Sequence, residues 1–200
     1  MADIIKRISD LRASKARVLV GIAGPPAAGK SSIAATLGKA LDDSVIVPMD
    51  GFHLDNRELV AQNLRDRKGA PDTFDVDGFV ELVRAISQHD AIVPVPEFDR
   101  SQDSVLHKGL MVEPRHHVIL IEGNYLFLNK APWDSLLLLF DLCVFLKPTL
   151  ADIEKRLLTR WREHGYSEHD AKLKTNMNDL PNAHFILTHS KIDENMMVIN

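Results

Sequence analysis

Cysteine is almost absent. Cys143 is the single one in 200 residues, so no disulfide can close within the chain. Its place in the apolar stretch 141–146 reads as a buried structural thiol. Long apolar runs are missing too. The best candidate, 135–146, is broken by Asp141, which excludes a bilayer-spanning helix. Residues 1–20 mix charges throughout and hold no signal-peptide core. An excess of positive charge is also lacking. Lys+Arg number 24 against 28 Asp+Glu, a net charge of -4, so bulk electrostatics will not hold a nucleic acid. The nine histidines show no metal-ligand spacing, which argues against a zinc site. There is no internal repeat and no low-complexity tract. The expectation is a cytoplasmic protein with neither a nucleic-acid nor a membrane partner.

What is present suits one domain over 1–200, with a sizeable core and a small lid. Residues 3–14 carry Ile4, Ile5, Ile8 and Leu11 on one helical side. Val18 to Ala23 reads as a strand buried on both faces, because it lacks alternation. Ser31 to Leu41 and 54–64 have helical patterns. Residues 44–50, 117–123 and 141–147 are further buried strands. Asp75 or Asp77 caps a helix carrying Val80, Val83 and Ile86. Residues 91–99 are extended, since their prolines exclude a helix. Residues 104–113 read as a hairpin turning at Lys108-Gly109. Thr149 and Asp152 have capping-box spacing before a helix with Ile153, Leu157 and Trp161 on one face. A polar stretch runs from 164 to 182, and 196–200 reads as a closing strand. Strands alternating with helices predict a parallel sheet covered on both faces, with its site at the carboxyl ends of the strands.

Residues 24–31, Gly-Pro-Pro-Ala-Ala-Gly-Lys-Ser, fit the phosphate-loop pattern between a strand and a helix. The first amides of a helix have no internal acceptor, and the helix dipole favours an anion there. Gly29 lets the backbone come close, Lys30 reaches the outer phosphates, and Ser31 offers a hydroxyl to Mg2+. Pro25 and Pro26 donate nothing and stiffen the early loop, which leaves the donors to residues 28–32. This is a nucleoside triphosphate site. Asn129-Lys-Ala-Pro lacks the aspartate that would read guanine, so a GTP switch is not indicated.

Phosphoryl transfer to a hydroxyl needs a group to take its proton. Asp50, at a predicted strand end, is placed for that, and equally for capping the turn that Gly51 permits. Phe52 and His53 would line an acceptor pocket. Glu122 ends a buried strand, where a lone acid needs a partner, and Mg2+ is a natural one. Phe98 and Arg100 lie in a loop near a strand end. Arg156 and Arg160 share a helix face, with Arg162 close by, and would stabilise charge developing on the phosphoryl group if that region folds over the site.

The succession of residues 21–32, 47–56, 67–75, 95–101, 118–126 and 160–165 resembles the phosphoribulokinase/uridine kinase family, which includes type I pantothenate kinases. The match runs in order from about Val18 onward. It implies a P-loop NTPase fold, a three-layer α/β/α sandwich with a mostly parallel sheet and a lid near 156–182. It implies ATP and Mg2+ as cofactors and a small-molecule hydroxyl as acceptor. The family's phosphate loop corresponds to Gly24 to Ser32, with Gly24, Ala27, Ala28, Gly29, Lys30, Ser31 and Ser32 as nucleotide contacts. Its base corresponds to Asp50, its metal-side acid to Glu122, and its lid arginines to Arg156, Arg160 and Arg162. Gly69-Ala-Pro-Asp-Thr-Phe-Asp75 lacks the histidine of the family's acceptor segment, and Phe98 stands where uridine kinases carry a tyrosine. These departures leave a sugar such as fructose as the leading acceptor, with uridine, cytidine and pantothenate as alternatives. An ATP-binding regulator of a transport system without catalysis is the rival from another class, and self-association as a homodimer is left open.

Overall fold

The computed structural model describes residues 1–88 and 91–200. Along the chain run α1 (Ala2–Arg12), β1 (Val18–Ala23), α2 (Lys30–Ala40), β2 (Ser44–Pro48), α3 (Asn56–Ala61), α4 (Val76–Ser87), β3 (Val93–Asp99), β4 (Ser104–Val112), β5 (Val118–Gly123), β6 (Leu142–Leu146), α5 (Leu150–Glu163), α6 (Glu168–Lys174), α7 (Leu180–His189) and β7 (Met197–Ile199). Five strands form one sheet in the order β2-β5-β1-β6-β7, and every pairing in it is parallel. A separate antiparallel pair joins β3 to β4.

The buried strands divide residue by residue between two cores. Leu19 and Ala23 of β1 and Ile119 and Ile121 of β5 face one core, with Phe79, Val80, Val83 and Ile86 of α4. Val18, Val20, Ile22, Val118 and Leu120 face the other, with Ile4 and Ile8 of α1 and Ala34 and Leu37 of α2. A strand covered on both sides has no polar face to present, which is why these segments read as unbroken apolar runs. Sheet and helices thus make the three-layer α/β/α architecture of a P-loop protein. Among the described residues, no helix is long and apolar enough to cross a membrane.

Local chemistry sets the helix starts. The Asp75 carboxylate, rather than Asp77, accepts from Gly78 N at 3.0 Å and caps α4. The Thr149 hydroxyl accepts from Asp152 N at 3.2 Å and donates to the Asp152 carboxylate at 2.7 Å. Ile153 and Leu157 of α5 are then buried against Ala183 of α7.

One expectation is corrected. Residues 104–113 do not form a hairpin of their own: β4 is one strand, and the chain reverses before it, at 100–103. The Asp99 carboxylate closes that turn, accepting from Ser101 N at 2.8 Å, Ser101 Oγ at 2.6 Å and Gln102 N at 3.2 Å. Gly109 serves close packing rather than turning, since a Cβ there would lie 1.9 Å from Glu97 Oε2. The polar stretch 164–182 is largely helical. Ser167 caps α6 by accepting from Asp170 N at 3.1 Å. A π-helical turn, Thr175–Asp179, then leads into α7.

The register sets the site. Ala23 of β1 lies beside Gly123 of β5, and Pro48 of β2 beside Glu122. The loops that follow β1, β2 and β5 therefore emerge together at one edge of the sheet.

Candidate functional site

The loop after β1 turns through two left-handed residues, Ala27 at φ +58° and Gly29 at φ +100°. Gly29 is the N-cap of α2 and supplies no side-chain cap. The first-turn amides of Lys30, Ser31 and Ser32 thus have no acceptor within the helix, at the positive end of its dipole. Pro25 contributes its carbonyl, which accepts from Ala28 N at 3.2 Å and from Lys30 Nζ at 2.9 Å.

Lys30 is nearly inaccessible, at 8% exposure. Its ammonium also donates to Asn124 Oδ1 at 2.7 Å. Burial pulls its pKa down to about 8. Glu122 and Asp50 favour its charge, while Arg160 and Arg100 oppose it. A buried ammonium resting on two neutral acceptors is poised to accept an anionic partner. Asn124 was not singled out from the sequence. Its signal was its place just beyond the strand-end acid.

Glu122 accepts from Ser31 Oγ at 2.9 Å. Burial raises its pKa above the usual carboxylate range, and Asp50 adds to this, against Lys30, Ser31 and Arg100. Together Ser31 and Glu122 offer hydroxyl and carboxylate oxygens, the hard donor set that suits Mg2+. A cation there would relieve the cost of a buried carboxylate.

Asp50 lies in the 3-10 turn Met49–Phe52 after β2. Its Oδ2 accepts from a terminal nitrogen of Arg100 at 2.5 Å. Gly51 beside it is needed for closeness: a Cβ there would lie 2.0 Å from the Pro96 carbonyl oxygen. The β3–β4 pair thus packs directly on the turn that carries Asp50. His53 stacks on Phe74 with ring centroids 4.1 Å apart and tilts against Phe98 at 4.8 Å. Phe52 departs from expectation. It is buried in the core against Phe79, ring centroids 5.0 Å apart, and does not line an acceptor pocket. It follows Gly51, whose backbone is pinned under β3, so its side chain falls on the core side.

The arginines of α5 separate. A guanidinium nitrogen of Arg156 donates to the carbonyls of Ala27 at 3.2 Å and Ala28 at 3.3 Å. Arg160 is pulled below its usual pKa by burial and by Arg100, while Asp179 and Asp50 oppose this, which sets it among the site's charges. Arg162 does not join them. It donates to Leu158 O at 3.1 Å and to Thr159 Oγ1 at 3.4 Å, and pairs with Glu168 at 3.6 Å. Two residues along a helix turn it about 200° away from Arg160. Asp179 is raised by burial and accepts from Trp161 Nε1 at 2.7 Å, so the π-helical turn is clasped to α5.

A cavity of about 540 Å3 opens on the outer side of the loop. Its lining includes Ala27, Ala28, Gly29, Ser32 and Arg156, together with Leu146, Pro148, Ile199 and Asn200. Its size and mixed lining suit a nucleoside. Glycine-loop amides, a buried lysine, a hydroxyl–carboxylate pair and an adjacent acid can together bind a polyphosphate and take a proton from a nearby hydroxyl.

No family model matches the chain. A Schizosaccharomyces pombe protein named "Putative uridine kinase" is 34% identical over 197 residues, covering 92% of this chain and 84% of that protein. The pantothenate kinase of Psychromonas ingrahamii is 31% identical over 111 residues, 52% of this chain and 34% of that one. The crystal structure of a "putative fructose transport system kinase" from Silicibacter sp. TM1040 superposes with a TM-score of 0.86 at 38% identity. It covers 92% of this chain and 90% of the other.

Proposed function

As the chain belongs to the phosphoribulokinase/uridine kinase family of P-loop kinases, we propose that it transfers the γ-phosphoryl of ATP to a hydroxyl of a sugar. Asp50 carries this reading. It is an acid at a strand end, near enough to the phosphate-loop lysine to favour its charge, and an ATP-binding regulator would have no need of it.

The chain's residues take these roles. Amides of 28–32 hold the β-phosphate. Lys30 leaves Pro25 and Asn124 for the outer phosphate oxygens. Arg160 stabilises negative charge that develops on the transferring group. Arg156 fixes the loop by its carbonyls and flanks the nucleoside cavity. Asp50 takes the acceptor's proton as the new oxygen–phosphorus bond forms and the bond to the ADP oxygen breaks. Ser31 and Glu122 would hold Mg2+, which would supply charge neutralisation for the phosphates. The segment 156–182 is the lid that keeps water out, since a wet site would spend ATP on hydrolysis. Arg100 and His53 line the acceptor side, with Phe98 against His53. The likeness to the Silicibacter structure supports a sugar such as fructose. The aromatic rings of His53, Phe74 and Phe98 favour a nucleoside such as uridine as the second reading.

The test is ADP release from Mg-ATP with fructose, other sugars, uridine, cytidine, pantothenate and ribulose 5-phosphate, with Asp50→Asn alongside. Stimulation by one acceptor, lost in the variant, names the substrate. ATP binding with no stimulation by any acceptor and no effect of Asp50→Asn overturns the kinase reading in favour of a regulator.

A further inference from the structure

We propose that Lys68 and Asp103 form a latch that seats the β3–β4 turn over the acceptor side and so positions Arg100 on Asp50; its catalytic consequence rests on the kinase reading above. Lys68 Nζ donates to Asp103 Oδ1 at 2.7 Å, to the Asp103 carbonyl at 3.2 Å and to Asn56 Oδ1 at 2.8 Å. Asn56 Nδ2 donates to Asp103 Oδ2 at 2.9 Å and to its carbonyl at 3.1 Å. Arg65 adds a bond to Asp103 Oδ2 at 2.8 Å. Segments of chain that are distant in sequence thus converge on one aspartate.

Asp103 sits at φ +49°, a left-handed conformation that a non-glycine residue keeps only when its surroundings hold it. The Lys68 side chain is only 11% exposed, and its ammonium lies 4.9 Å from the centre of the Phe98 ring. Burial works against the Asp103 charge, yet the bonds from Lys68 and Asn56 and the nearby cations outweigh it and hold the carboxyl below its usual range.

The turn is a short rigid unit closed by Asp99. Arg100 is at its head and Asp103 at its foot. An exposed ion pair such as Arg100–Asp50 contributes little on its own. The Lys68 network is the stronger anchor, because several charge-assisted bonds converge on Asp103 from Lys68, Asn56 and Arg65 and the Lys68 side chain is largely buried. Release of Asp103 therefore frees Arg100 and Phe98 together. Lys68 and Asp103 are positioning residues that do not need to touch the acceptor.

The test compares wild type with Lys68→Met, and with Asp103→Asn should the first variant fail to fold. Amide hydrogen exchange is expected to quicken at 99–104 and also at 49–53, with β1 and β5 unchanged. In kinetics with the acceptor found above, KM for the acceptor rises roughly tenfold and KM for ATP stays constant. Adding Lys68→Met to Arg100→Ala changes the acceptor KM no further. Faster exchange confined to 56–68 and 99–104, or additive effects in the double variant, overturns the latch. If no acceptor stimulates wild type, the kinase reading fails, and the exchange pattern at 49–53 still decides whether the latch holds the Asp50 turn.

Discussion

Arg100 donates to the Asp50 carboxylate at 2.5 Å, although the two are 50 residues apart in sequence. The Arg100 side chain is 61% exposed, so the pair adds only about 0–1 kcal/mol to stability. Its consequence is orientation: the carboxylate is held at the mouth of the phosphate loop. Asp50→Asn keeps the shape and an oxygen for Arg100 but removes the proposed base. ATP affinity and melting temperature should stay close to wild type, while kcat falls roughly 10²–10⁴-fold. Single-turnover assays beside nucleotide titration check both halves. A variant that lost ATP binding in proportion to kcat would deny Asp50 its role.

The parts of this site read from sequence were those written in consecutive residues. Residues 24–31 hold the loop, its cap and its lysine in one stretch. Asp50 and Glu122 stood out as acids closing apolar strands, and the register brings their strand ends together. What was hidden depends on contacts between distant segments. Gly109 suggested a turn, and nothing local showed that Glu97 would occupy the space where its side chain would be. Lys68 and Asp103 are 35 residues apart, so nothing local in the sequence pairs them. One misreading and one omission were avoidable. Helical phase already sets Arg162 on a different side from Arg160. Ser167 with Asp170 also has the spacing that caps α6.

That phase difference makes a paired prediction. Arg156 holds the carbonyls of Ala27 and Ala28, where Ala27 is in a left-handed conformation. Arg156→Ala frees the loop and opens the cavity proposed for the nucleoside. KM for ATP should rise roughly five- to tenfold, as for loss of a charged hydrogen bond. Arg162→Ala removes only contacts within α5 and to Glu168, so it should leave KM and kcat unchanged. Steady-state kinetics of the two variants, purified in parallel, decide the matter.

His53 makes acid stability informative. Burial pushes its pKa down to about 4, Lys68 and Arg100 add to this, and Asp50 and Asp103 oppose it. Its folded value lies below the unfolded value of about 6.5. Between those limits the unfolded chain binds the extra proton, so stability rises with pH. The contribution is complete above about pH 6.5 and is lost as the pH falls towards 4, up to about 3 kcal/mol in all. His53→Leu should flatten the dependence of the urea midpoint on pH across that window. His116, also lowered by burial, is present in both proteins and cancels in the difference. Parallel curves for the two proteins would mean that His53 is not held neutral by its surroundings.

Gly51 and Gly38 give opposite signs for the same substitution. A Cβ on Gly51 would stand 2.0 Å from the Pro96 carbonyl oxygen and 2.6 Å from its carbon. Both are backbone atoms and cannot swing aside, so β3 must move off the Asp50 turn. Gly51→Ala should cost about 1–3 kcal/mol, as overpacking does. It should also lower activity beyond the fraction unfolded, because β3 carries Phe98 and leads into Arg100. On α2, a Cβ at Gly38 would meet Ile46 Cδ1 at 3.4 Å, an ordinary contact with the end of a flexible side chain. There the gain in helix propensity, up to about 1 kcal/mol, is unopposed. Gly38→Ala should raise the urea midpoint and leave kcat unchanged. Equal effects from the two would show that β3 does not press on the catalytic turn, and the coupling of hairpin to base would then have to be abandoned.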